Sequence, residues 1–234
     1  MNAIILAAGN QTRFKDDKPK GLMPINGKTI IDINIERLSE FVDKILIVTS
    51  YTNSQHFSHL KEQYDNVEII KVEAGGGTGM SLALAKEEIL QHDSRNYVLL
   101  WSDAMNCYPV ILEDFKAMPD NIFVAPVVYE EDPYVDFIPD VDNTIKDIKF
   151  KKLEEEVSEK GLHDLSIFLV PRAHLKKVDH YMGEDFKDDY NFLYLYKYYS
   201  KFKQQSLIKA YFNINDLSFN TYEEYQEVVS AYNI

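Results

Sequence analysis

The chain has 234 residues, 45% of them hydrophobic, and 38 acidic against 25 basic side chains give a formal net charge of -13. A chain of this length can bury a sizeable core, while so negative a field disfavours nucleic acid or an anionic membrane as partner. The one cysteine, Cys107, excludes an internal disulfide and a multi-cysteine zinc site, no apolar run reaches membrane-spanning length, and a cytoplasmic location is expected.

Residues 4–6 read as a buried strand that stops at Ala7, Ala8 and Gly9, with Asn10, Gln11, Thr12 and Arg13 beyond it and then Lys18, Pro19 and Lys20. Small side chains at a strand exit let a base and ribose lie against the backbone, whose N–H groups then face phosphates. Arg13, Lys18 and Lys20 supply the positive charge that a nucleoside triphosphate needs. An amphipathic helix is predicted over 29–41, a strand over 44–49, a helix over 53–64 and a strand near 67–70. A glycine-rich stretch leads into a helix over 78–90, and 97–101 is another buried strand. Strands and helices in alternation, with nearly continuous apolar strands, imply a parallel sheet covered on both faces. The C-terminal ends of such strands share the rim where ligands bind.

The pattern changes after about residue 120, where 121–128, 135–139, 144–150 and 165–170 alternate like strands of a mixed or antiparallel sheet. Helices are predicted over 172–181 and 190–202, a strand over 207–211 and a last helix over 222–231. No internal repeat, low-complexity linker or Pro/Gly hinge divides the chain, so one domain over 1–234 is expected.

Leu6-Ala7-Ala8-Gly9 with Thr12-Arg13, then Pro19-Lys20 and Pro24-Ile25-Asn26-Gly27-Lys28, resembles the signature of nucleotidyltransferases that make nucleotide-activated sugars and related alcohols. Gln11 stands where that family usually has a second glycine. The stretch from Gly75 to Leu82 is similar to the family's base-pocket segment, with Thr78 placed to cap the helix that follows. Residues 98–103 resemble the strand ending in an aspartate that holds Mg²⁺, with Ser102 in place of the usual glycine before Asp103. In the closing segment 214–225, Asn220 falls where the family has its second metal ligand, a helix cap being the alternative.

The resemblance implies a Rossmann-like, GT-A-like nucleotidyltransferase fold, with a nucleotide-binding half over 1–120 and an acceptor-binding half over 121–234. It implies Arg13, Lys20 and Asp103 as catalytic residues and Asp103 and Asn220 as ligands of Mg²⁺. Leu6, Ala7, Ala8, Gly9, Asn10, Gln11, Thr12, Arg13, Lys20, Gly77, Thr78, Ser102 and Asp103 would line the nucleotide. Acceptor candidates lie in 129–137, 149–152, 163–166 and 188–191, with Lys151, Asp164 and Asp189 foremost. The implied reaction joins a nucleoside triphosphate, CTP favoured, to a small phosphorylated acceptor for bacterial surface polysaccharide or capsule precursors. A uridylyl- or thymidylyltransferase acting on sugar 1-phosphates is one alternative, and a regulatory subunit that binds nucleotide without catalysis is another. The tyrosine cluster 194–199 reads as a packing or homodimer surface.

Overall fold

The computed structural model describes residues 1–9, 18–180, 189–214, 217, 219 and 221–232. Its strands are β1 (Asn2–Ala7), β2 (Pro24–Ile25), β3 (Lys28–Thr29), β4 (Ile45–Ser50), β5 (Val67–Val72), β6 (Asn96–Trp101) and β7 (Phe123–Glu131). β8 (Val135–Pro139), β9 (Ile145–Phe150), β10 (Lys160–Asp164), β11 (Ile167–Pro171) and β12 (Ser206–Ala210) follow. The helices are α1 (Ile30–Ser39), α2 (Ser54–Phe57), α3 (Leu60–Gln63), α4 (Gly77–Ile89), α5 (Pro109–Ala117), α6 (Arg172–Leu175), α7 (Tyr194–Tyr198), α8 (Ser200–Gln204) and α9 (Tyr222–Tyr232). Among the described residues no helix is long and apolar enough to cross a membrane.

The central sheet runs β10-β7-β11-β6-β1-β4-β5, with β12 added to β7. β6, β1, β4 and β5 are mutually parallel, β11 and β10 run antiparallel to β7, and β12 is parallel to it. The period of two along β1 explains the two layers. Ile4 and Leu6 pack with Leu82, Ala85 and Ile89 of α4. Ala3, Ile5 and Ala7 pack on the other face with Ile31, Ile35 and Leu38 of α1 and Ile111, Leu112 and Phe115 of α5. Strands buried on both faces read as continuous apolar runs, which is why β1, β4 and β6 are visible in the sequence.

Two local devices place the site. Asn26 and Gly27, with φ of 52° and 82°, form the turn between β2 and β3, as a two-residue hairpin requires. Thr29 then caps α1, its hydroxyl accepting from Asp32 N at 3.2 Å while Asp32 Oδ2 accepts from Thr29 N at 3.3 Å. Between β10 and β11 the chain bulges, since Asp164 faces Val127 while Leu169 faces Val124. Ser166 at this bulge has a φ of 58°, and its N–H is held by Asp164 Oδ1 at 2.9 Å. Bulges of this kind redirect side chains beside functional clefts.

Some predicted elements divide. The helix expected over 53–64 is α2 and α3, with the Ser58 hydroxyl bonded back to Gln55 O at 2.9 Å where they part, a local bond that competes with the helix. The helix expected over 190–202 is α7 and α8, broken at Tyr199, whose backbone is extended. That break lets Tyr194, Tyr196 and Phe202 all enter the core. Tyr194 and Tyr196 therefore pack within their own chain, and Tyr198 is the half-exposed member of the cluster. Of the helix expected over 172–181, α6 supplies the first turn, and residue 181 lies outside the described residues. α5 is an element that the sequence reading does not contain, although Pro109 at its first turn is a start signal.

His174 is buried to 1% exposure and stacks on Phe202 at 3.8 Å. Its Nε2 lies 3.4 Å from Gln205 Oε1 and its Nδ1 lies 3.3 Å from the Tyr196 hydroxyl. A neutral ring donating to Gln205 and accepting from Tyr196 satisfies both, and burial pushes the imidazole pKa down to about 4. The unfolded chain binds this proton near pH 6.5, so folding stability present above that pH is lost as pH falls toward 4. We expect about 2–3 kcal/mol of acid destabilisation from this residue. Urea unfolding of the parent and His174→Gln at pH 7.5 and 5.0 measures it, the variant showing the shallower fall. Equal falls would refute the assignment.

Candidate active site

β1 and β6 are adjacent and parallel, with Leu6 opposite Trp101, so the chain leaves both strands side by side. Ser102 N donates to Leu6 O at 2.9 Å and holds the two exits together. The single turn Lys20–Leu22 lies on this rim. A Cβ at Gly21 would sit 2.7 Å from Ser102 O and 2.8 Å from Ser102 Cβ, so glycine alone lets the turn rest there. Lys20 is thereby delivered to Asp103, Nζ to Oδ2 3.5 Å, and also donates to Phe219 O at 3.0 Å beneath that ring.

The loop carrying Asp103 is fixed from below. Asn34 Nδ2 donates to Ala104 O at 2.8 Å, and Arg37 reaches the carbonyls of Met105 and Cys107, each at 3.4 Å. Arg37 also donates to the Tyr232 hydroxyl at 2.8 Å, tying α9 to the same loop. α9 covers a small apolar cluster of Met23, Ile25, Ile30, Met105, Phe219 and Tyr225, which seats Phe219 over Lys20. Cys107 is buried in the sheet-side core, and burial pushes its thiol up to about 12, so it is no nucleophile.

The glycine-rich loop is built against the chain's own backbone. Gly76 caps α4 in a left-handed conformation with φ of 75°, and the Thr78 hydroxyl instead accepts from Phe192 N at 3.2 Å. The helix cap expected of Thr78 therefore falls to Gly76. Tyr190 N donates to Gly76 O at 2.8 Å and Gly79 N to Tyr190 O at 2.7 Å. At Gly77, φ is 83° and a Cβ would lie 2.6 Å from Tyr190 O, so this glycine serves close packing onto residues 189–192.

Beyond Asp103 opens a cleft of about 290 Å³. Its wall includes Trp101, Asp103, Glu130, Tyr134, His163, Asp164, Ser166, Asn191 and Phe219. Trp101 is braced by Phe168 at 5.7 Å and Phe192 at 5.5 Å. His163 Nδ1 lies 3.3 Å from Glu130 Oε2. Of the expected acceptor residues, Asp164 lies in this wall. Lys151 instead pairs with Asp132, and Asp189 pairs with Lys152 at 2.7 Å, so neither lines the cleft, where Asn191 stands. Ala7, Ala8, Gly9 and Ser102 lie at the shared strand exits as expected, with Leu6 just inside. Asn10, Gln11, Thr12, Arg13 and Asn220 lie outside the described residues.

Sequence reasoning misses Gly21, Asn106 and the Phe219 carbonyl. A glycine directly after Lys20 is the available signal for the first; the others depend on contacts far apart in the chain. For the expected Mg²⁺, the Asp103 carboxylate is a hard oxygen donor opening on the cleft beside Lys20. Among the described residues no cluster of three or more His, Cys, Asp or Glu forms, but this ion takes several oxygens from phosphates and fits a site of one or two protein donors.

Residues 3–133 match the family of MobA-like NTP transferase domains. The chain belongs to that family. Bifunctional protein GlmU of Methanococcus maripaludis is 29% identical to this MobA-like domain over 144 residues, 56% of this chain and 33% of that protein. Choline-phosphate cytidylyltransferase of Streptococcus pneumoniae is 37% identical over 107 residues, 42% of this chain and 46% of that protein. The chain thus matches under half the length of either relative. The solved structure of CTP:phosphocholine cytidylyltransferase (LicC) from Streptococcus pneumoniae superposes with a TM-score of 0.77 at 20% identity, covering 99% of this chain and 98% of that one. A likeness at that identity carries the fold, a mostly parallel mixed sheet with helices on both faces.

Proposed function

We propose that this chain is a nucleotidyltransferase that joins a nucleoside triphosphate, with CTP favoured, to a small phosphorylated acceptor and releases pyrophosphate. The observation that carries the reading is the Lys20–Asp103 pair, 3.5 Å apart, at the adjoining exits of β1 and β6 beside small residues. Residues 1–120 would supply the nucleotide side and 121–234 most of the acceptor side. Arg13, Lys20 and Asp103 are all present in the sequence, and Lys20 and Asp103 stand together at one rim, which favours an active enzyme over a regulatory subunit.

An acceptor phosphate oxygen attacks the α-phosphorus; the new P–O bond forms as the bond to the bridging oxygen breaks, and pyrophosphate departs with the electron pair. A phosphate monoester is already largely dianionic near neutral pH, so no general base is needed. The requirement is alignment and charge neutralisation where two anions meet. Lys20 would hold donor and acceptor phosphates together, and Arg13, by its place in the sequence pattern, the departing phosphates. Mg²⁺ held by Asp103, with Asn220 as second ligand, would supply further positive charge at the α-phosphate.

The cleft favours an acceptor with a cationic head group. Carboxylates of Asp103, Glu130 and Asp164 and the aromatic rings of Trp101, Tyr134 and Phe219 share its wall, the combination that recognises ammonium groups. The similarity to a choline-phosphate cytidylyltransferase supports the same reading. The test is a pyrophosphate-release screen of CTP, UTP, dTTP and ATP against phosphocholine, phosphorylated amino acids and sugar 1-phosphates. CTP with an ammonium-bearing phosphate should lead. Turnover confined to UTP or dTTP with sugar 1-phosphates would replace the cytidylyl reading, and no turnover with any pair would remove the enzyme.

A further inference from the structure

Asn106 is fully buried and lies three residues beyond Asp103 in the same loop. Its side-chain amide joins two further walls of the cleft. Nδ2 donates to Leu165 O at 3.2 Å, at the bulge between Asp164 and Ser166. Oδ1 accepts from Leu217 N at 3.1 Å, two residues before the Phe219 carbonyl that holds Lys20. One planar group therefore spans the Asp103 loop, the Asp164 bulge and the segment that seats Lys20.

We infer that Asn106 is a positioning residue that sets the spacing of Asp103, Asp164 and Lys20 by bonding the three cleft walls to one another. The inference rests on the nucleotidyltransferase reading for its kinetic consequence, and on geometry alone for the coupling itself. An amide is the group the place requires, because it donates at one end and accepts at the other. Aspartate keeps the acceptor for Leu217 N but turns an oxygen toward Leu165 O. Leucine has similar bulk and makes neither bond. The glycine-rich loop at 76–78 is held by Tyr190 and Phe192 instead, so that loop does not depend on Asn106, whereas Lys20 and Asp103, placed toward donor and acceptor phosphates alike, do.

The experiment compares the parent with Asn106→Leu and Asn106→Asp, using CTP, Mg²⁺ and phosphocholine or whichever acceptor the screen selects. For Asn106→Leu we expect kcat to fall about 100-fold, as a displacement of about 1 Å at reacting groups can cause. The acceptor KM should rise about tenfold and the CTP KM by a smaller factor, because the glycine-rich loop on the nucleotide side is held independently. Amide hydrogen exchange supplies a readout that needs no turnover. Exchange at Leu165 and Ser166 should quicken in both variants, and at Leu217 in Asn106→Leu but not in Asn106→Asp. Equal rises in both KM values, or kinetic constants within about threefold of the parent in a folded variant, would overturn the positioning role. Unchanged exchange at Leu217 in Asn106→Leu would overturn the coupling. A parent without turnover on any pair would refute the enzymatic reading while the exchange pattern still decides the coupling.

Discussion

Asp103→Asn is expected to lower pyrophosphate release by about three orders of magnitude, equivalent to about 4 kcal/mol of transition-state stabilisation, while leaving the fold intact. The carboxylate side chain is 27% exposed and pairs with Lys20 at 3.5 Å. Such a partly exposed pair contributes no more than about 1 kcal/mol to folding. The loop beneath is held by Asn34, Arg37 and Asn106 through backbone carbonyls and side-chain amides, none of which uses the Asp103 carboxylate. Stability and activity should therefore separate. The amide keeps the shape but loses the charge that a divalent cation and its phosphates require. Thermal unfolding beside a pyrophosphate assay over a range of Mg²⁺ concentrations makes the measurement. Activity within tenfold of the parent at all concentrations would exclude Asp103 from the charge-bearing site.

The parts of this molecule that are legible in the sequence are those fixed by local pattern. β1, β4 and β6 are continuous apolar runs because both faces of the parallel sheet are covered. The Asn26-Gly27 turn and the Thr29 cap are short-range chemistry of their own residues, although neither is among the elements predicted from the sequence. Lys20 and Asp103 can be singled out because each closes a recognisable motif, and the structure brings them together at one rim. What is not legible depends on contacts between distant segments. The bulge at Ser166 arises from registry between β7 and the two strands beside it, which no local pattern encodes. Asn106 meets Leu165 and Leu217 across long stretches of chain. The glycines at 76, 77 and 79 are expected from the sequence to admit a nucleotide, whereas their described contacts are with Tyr190 and its neighbours. Lys151 and Asp189 find their counter-charges in Asp132 and Lys152, outside the cleft.

Lys20→Ala is expected to cost a similar factor in kcat/KM, about 1,000-fold, and to do so without metal dependence. In a chain of net charge -13 the cleft wall carries Asp103, Glu130 and Asp164. Two phosphate groups brought there face repulsion from the wall and from each other. Lys20 supplies a cation at the junction, 13% exposed and oriented by the Phe219 carbonyl at 3.0 Å. A held ammonium of this kind needs little reorganisation as charge develops at phosphorus. Lys20→Arg tests whether charge or shape matters. The guanidinium keeps the charge but has a planar fork in place of a compact ammonium, so it should recover less than a tenth of the lost rate. Lys20→Ala and Asp103→Asn should not add when combined, because both act on the same phosphate. Full additivity would mean that the two residues serve separate steps, and parent-like turnover in Lys20→Ala would remove the lysine from the reaction.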